Sequence, residues 1–144
     1  MKALQHFEEF LISGVVKKQA RDLSRAKSLR EEADTAYSFL VKIQKDIAKE
    51  EQDANSLIKI SYDIIMDIIR AEMLENGFHA TGEGAHQAEV SYARKMQFTE
   101  TDVQFLNQLR YNRNGISYYG KRFDLNYAKQ VISFLEKKLK KVNP

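Results

Sequence analysis

No cysteine occurs among the 144 residues. Disulfides, thiolate nucleophiles and cysteine-ligated metals are thereby excluded, and a cytoplasmic setting is expected. Proline appears once, as Pro144, and glycine six times. Proline breaks helices and glycine weakens them, so their scarcity leaves long helices free to form. Apolar runs long enough to span a membrane are also missing. The most apolar segment, residues 57–74, is interrupted by Lys59, Asp63, Asp67, Arg70 and Glu72. The N-terminus lacks a basic start followed by an apolar run, so no signal peptide is expected. No two histidines lie three or four apart, the usual helical metal-ligand spacing. His79 and His86, even with Glu83 and Glu89 near them, do not make that pattern, and neither metal nor cofactor is expected. Gly77, Gly82 and Gly84 form no familiar phosphate loop, and no Ser-His-Asp arrangement follows from spacing.

What is present suits an ordinary globular chain: 43% apolar and 30% charged residues. The length fits one domain, 1–144, able to bury about two-thirds of its unfolded surface. Net charge is only +3 but unevenly placed. Residues 1–50 are near balance. Residues 51–106 hold 4 Lys/Arg against 10 Asp/Glu, whereas residues 107–144 hold 9 against 2. A basic C-terminal third suggests a polyanionic partner, although solvated helix faces produce the same asymmetry.

Apolar residues recur at helical spacing along most of the chain. Residues 3–13 read as a short helix ending near Gly14. From Val16 to Lys49 the positions Leu23, Ala26, Leu29, Ala33, Tyr37, Leu40, Ile43 and Ile47 predict one long helix, with Ser28 and Glu31 as a capping box should it be two. A central helix is predicted over 53–76, with Leu57, Ile60, Ile64, Ile68 and Leu74 as one stripe and Ile58, Ile65 and Ile69 beside it. Asn76-Gly77 signals its stop, and 77–84 reads as a loop. A short helix is expected over 85–96, then one capped by Thr99 or Thr101, with a break bracketed by Gly115 and Gly120. The last begins near Asp124, and Lys137, Lys138, Lys140 and Lys141 suit the negative end of its dipole. No strand of useful length is expected. The pattern predicts an all-α, antiparallel up-and-down bundle of four main helices plus shorter ones.

The stretch 107–122 stands out. It holds Arg110, Arg113, Lys121 and Arg122, three tyrosines (Tyr111, Tyr118, Tyr119) and no acid. On a helix Arg110 and Arg113 share one face, and Tyr111 and Tyr118 another. Guanidinium groups grip phosphates and rings stack on unpaired bases, so the composition suits RNA. Core tyrosines with surface arginines would give the same composition.

Arg113-Asn114-Gly115-Ile116-Ser117-Tyr118 resembles the motif of HEPN domains (higher eukaryotes and prokaryotes nucleotide-binding). There the penultimate long helix carries an Arg, often followed by Asn, then four to six residues, then a His. The order of elements is also similar: alanine-bearing early helices, Ile69 to Gly77 before a loop, His86 opening the next helix, and Tyr127-Ala128 with Phe134-Leu135 in the last. The resemblance spans the chain from about residue 20. It implies a helical bundle and a homodimer whose paired motifs share a cleft. It also implies one of two activities: metal-independent ribonuclease, or nucleotide- or RNA-binding partner of a small nucleotidyltransferase in a toxin–antitoxin-like system. Tyr118 stands where the family has His, and Gly120 where some members carry a Tyr. A tyrosine with its reference pKa of about 10 is seldom a phenolate at neutral pH, so Tyr118 makes a poor base.

Three functions are therefore weighed. In the first, the chain is a binding module, its cleft lined by Arg110, Asn112, Arg113, Asn114, Tyr118, Tyr119 and Lys121. In the second it is a ribonuclease, with Arg113 clamping phosphate, Asn114 orienting it and Tyr118 replacing the base. In the third it is a structural or regulatory bundle with no nucleic-acid ligand.

Overall fold

A computed structural model describes residues 3–46 and 50–142. Ile47, Lys49 and Pro144 lie outside the described residues, as does the Lys141 side chain. The elements run α1 (Phe7–Ser13), β1 (Val16–Lys18), α2 (Leu23–Asp46), α3 (Ala54–Glu75), β2 (Phe78–Ala80), α4 (Ala85–Tyr92), α5 (Glu100–Tyr119) and α6 (Leu125–Val142). The chain is thus an all-α helical bundle whose main helices are α2, α3, α5 and α6. Among the described residues no helix is long and apolar enough to cross a membrane.

The long helix predicted from Val16 does not begin there. Residues 16–18 instead pair antiparallel with β2, Val16 opposite Ala80, Lys17 opposite His79 and Lys18 opposite Phe78. The backbone then continues along the end of α3, with Gln19 N–H on the Gly77 carbonyl (2.8 Å) and Asp22 N–H on the Leu74 carbonyl (3.1 Å). Those bonds commit residues 16–22 to an extended path. Only at Asp22, whose carboxylate accepts the Arg25 N–H (3.0 Å), does α2 start. Ser28 does not cap a second helix. It lies inside α2, where its hydroxyl donates to the Ser24 carbonyl.

Compact packing divides the chain into two units, residues 1–31 with 66–108, and residues 32–65 with 109–144. Helices α2, α3 and α5 each contribute to both. Helix α3 carries the wide apolar face read from its sequence: only Ser56 and Asp63 among its 22 residues are exposed.

In the first unit Phe7, Phe78 and Tyr92 form an aromatic cluster, Phe7 meeting the others edge-on at 5.1 and 5.0 Å. Burial pushes the Tyr92 hydroxyl up to about 12, with the Glu72 charge adding to it. Arg30 grips the Glu75 carboxylate with two bonds of 2.8 and 2.7 Å. The second unit packs Leu57, Ile58, Tyr62, Ile64 and Ile65 with Leu109, Val131, Ile132 and Leu135, all buried.

Gly77 holds the αL conformation (φ 80), and a Cβ there would meet the Gln19 carbonyl oxygen at 2.7 Å. Gly14 has a similar φ of 84 with open space around it. Gly77→Ala is expected to cost about 3 kcal/mol and Gly14→Ala about 1 kcal/mol in urea titrations, because only the first adds a clash with backbone to the αL strain.

Hydrogen bonding from Arg30 holds the Glu75 carboxyl below the usual carboxylate range. A depressed folded pKa means the contribution is complete above the unfolded value and fades as pH falls through the folded one. Glu75→Gln is expected to lose about 1 kcal/mol at pH 7, the half-exposed pair limiting the loss. In urea titrations across pH the difference from the parent should vanish in acid.

Candidate functional site

Thr99 opens α5 by accepting the Asp102 N–H (3.1 Å), while Asp102 accepts the Thr99 N–H (2.9 Å). This reciprocal cap satisfies two orphan donors. Val103, Leu106 and Leu109 are fully buried, which sets the rotation of α5 and so decides which residues of 110–119 face water.

The break bracketed by Gly115 and Gly120 falls at the second glycine. Helix α5 continues to Tyr119 and ends at Gly120, in the αL region at φ 63. Gly115 serves packing: a Cβ there would lie 2.9 Å from Lys121 Cδ. The chain turns at Gly120, and the Lys121 N–H bonds the Gly115 carbonyl (3.1 Å), laying the lysine stem across the helix. Its ammonium reaches the Tyr111 ring, 5.6 Å from the centroid. The next residues are clamped by α3 and the turn before it. Asn55 donates to the Lys121 carbonyl (2.8 Å) and accepts the Phe123 N–H (3.0 Å), and Glu51 accepts the Leu125 N–H (2.8 Å). Asp124 caps α6 through the Tyr127 N–H (2.8 Å).

The tyrosines split cleanly from core use. Tyr111, Tyr118 and Tyr119 are 51%, 75% and 80% exposed. Tyr111, Asn114 and Tyr118 follow one side of α5, and Lys121 joins them through the turn. Arg113 belongs to another side. Its Nη1 donates to Ser117 Oγ (3.2 Å), its Nη2 lies 3.7 Å from Asp63, and the guanidinium stands 5.9 Å from the Tyr62 ring. Arg113 Nε is buried without a hydrogen-bond partner. Asp63 is 58% exposed, so the pair is long, wet and weak, about 1 kcal/mol at most. A phosphate competes readily with such a carboxylate.

Five helical positions separate Arg113 from Tyr118, roughly 140° around the axis. A single protomer therefore presents them on different sides. Arg110 is half-buried, and desolvation pushes its guanidinium below the ordinary value while the nearby Tyr62 opposes the shift. Asn112 donates to the Tyr127 hydroxyl (2.8 Å) and so ties α5 to α6. Burial raises the Tyr127 hydroxyl, and the Asn112 bond lowers it. Asn114 is half-buried; Lys121 and Arg122 are exposed.

Sequence reasoning missed Tyr62, Asp63 and Asn55 as neighbours of this surface. Asp63 is one of several charges in residues 57–74, and nothing local singles it out as the neighbour of Arg113. Nothing in the spacing of residues reveals that Asn55 holds a turn 66 positions later.

Gly115→Ala is expected to leave stability within about 1 kcal/mol of the parent, since the gain in helix propensity offsets the displaced Lys121 stem. The Lys121 side-chain protons should then lose the upfield ring-current shift imposed by Tyr111, as read by NMR.

No protein-family model, no curated protein and no solved structure matches the chain.

Proposed function

We propose that the chain binds single-stranded RNA or a nucleotide on the C-terminal half of α5, as a cytoplasmic binding module of HEPN type. The observation that carries this reading is the exposure of three tyrosine rings at the end of α5, where Lys121 and Arg122 are also exposed, in a stretch of sequence without acid. Rings half or more open to water are available for stacking, which contributes about 1–3 kcal/mol per base and tolerates any sequence. The cations supply phosphate contacts. Gly115 and the Asn55 clamp hold Lys121 and Arg122 at the end of the same surface.

Binding fits the geometry better than cleavage. A ribonuclease needs its base and its phosphate cation at one reacting centre. Arg113 and Tyr118 diverge around α5 and do not meet within one protomer. In a homodimer with two α5 helices facing, Arg113 of one copy and the tyrosines of the other line a shared groove. A small nucleotidyltransferase is the partner the HEPN resemblance implies, in a toxin–antitoxin-like pair.

Fluorescence anisotropy with a labelled single-stranded RNA tests this. Affinity should exceed that for a duplex of the same length, with a log–log salt slope of about −2 for three phosphate contacts. Arg113→Ala should weaken binding about tenfold, and Tyr118→Ala and Tyr119→Ala each fivefold or more. Unchanged binding in Arg113→Ala would defeat the proposal, as would indifference to both tyrosine substitutions.

A further inference from the structure

A second group of chemistry-bearing side chains belongs to the other compact unit. There α2, α3, β2 and α4 line a cleft of about 400 Å³. Its wall is apolar where Leu29, Met73, Leu74 and Phe78 line it. Its polar lining is Arg25, Arg70, His79, Thr81 and His86, with the carboxylate of Glu89.

Glu89 is only 6% exposed, and its charge is already answered. It accepts from Arg70 Nε (2.9 Å) and lies 3.0 Å from His86 Nδ1. Arg70 is steadied further by Asp67 at 3.4 Å. A buried carboxylate bonded on both oxygens organises the cleft's back wall, fixing the positions of Arg70 and His86. Arg25 and His79 are different. Both line the cleft, and neither guanidinium nor imidazole has an acceptor among the described residues. Glu89 and Asp67 answer Arg70, which leaves Arg25 as the lining's cation without a carboxylate partner among the described residues, beside the apolar wall. Among the described residues no three His, Asp or Glu side chains gather as a metal site.

We propose that this cleft is a binding site for a small organic anion. Its apolar or aromatic body packs on Leu29, Met73, Leu74 and Phe78, and its carboxylate or phosphate monoester head is taken by Arg25 and His79. This site is separate from the α5 surface and does not depend on RNA binding there.

The test is an amide NMR titration of the full chain with phenyl phosphate, phenylacetate and inorganic phosphate. Saturable shifts of the His79, Thr81, Gly82, Ala85 and His86 amides are expected with at least one phenyl probe, with Kd near or below about 1 mM. Whichever phenyl probe binds more tightly identifies the head group. Arg25→Ala and His79→Ala should each weaken that probe about tenfold. Both side chains lie at the cleft's lining outside the Glu89 network, so the fold is kept and unchanged dispersion elsewhere in the spectrum confirms it. Three results overturn the proposal: no saturable shift with either phenyl probe, inorganic phosphate binding as tightly as phenyl phosphate, or unaltered affinity in the Arg25→Ala, His79→Ala double variant.

Discussion

A helix of 22 residues with only Ser56 and Asp63 exposed must be met by apolar side chains on nearly every side. That demand on α3 shapes both compact units. Each takes one half of α3 into its core: Leu57, Ile58, Ile64 and Ile65 in one, Ile69, Met73 and Leu74 in the other. Burying a large aliphatic side chain contributes about 1.5–3 kcal/mol, so α3 supplies more apolar stabilisation than any capping or ion-pair feature described above. The β1–β2 pairing and the Gln19 and Asp22 bonds are consequences at its C-terminal end. There the orphan carbonyls of α3 need donors, and an incoming extended strand provides them.

Several polar residues of α3 are held by specific partners. Ser61 donates to the Leu57 carbonyl four residues back. Arg70 is shared between Asp67 and Glu89. Asp63 stands at the exposed position beside Arg113, and Asn55 holds the turn after α5. The candidate RNA surface is thus built outward from α3. Buried leucines of α5 set its rotation, Gly115 lets Lys121 cross it, and the tyrosines are left on the water side. The cleft lined by Arg25 and His79 lies at the C-terminal end of α3, where Met73 and Leu74 run out and the Phe78–Gly84 segment begins.

Helical periodicity is a local property, so α3, α4, α5 and α6 were legible within a few residues, as were the Thr99 cap and the start near Asp124. The start of the long early helix is misjudged from neighbours in sequence, because Gly77 and Leu74, far along the chain, hold residues 19–22 extended. The uninterrupted apolar pattern does give one helix and not two, with Ser28 inside α2. The break bracketed by Gly115 and Gly120 falls at Gly120, and the returning Lys121 stem packs on Gly115. Glycine in a helix costs about 1 kcal/mol, too little to end one when packing rewards its continuation.

Composition and spacing by themselves determined the all-α class, the central role of residues 54–75, and a cationic, tyrosine-bearing stretch without acid at 107–122. Those properties depend on residue type and on the 3.6-residue period alone. Tertiary structure decided which tyrosines are stacked into a core and which stand in water, and that Arg113 meets Tyr62 and Asp63 while Tyr118 lies on another side of its helix. It also gathered Arg25, His79 and the Glu89 network around one cleft. The reason is that exposure and juxtaposition depend on the rotation of each helix against partners tens of residues away, which no local spacing encodes.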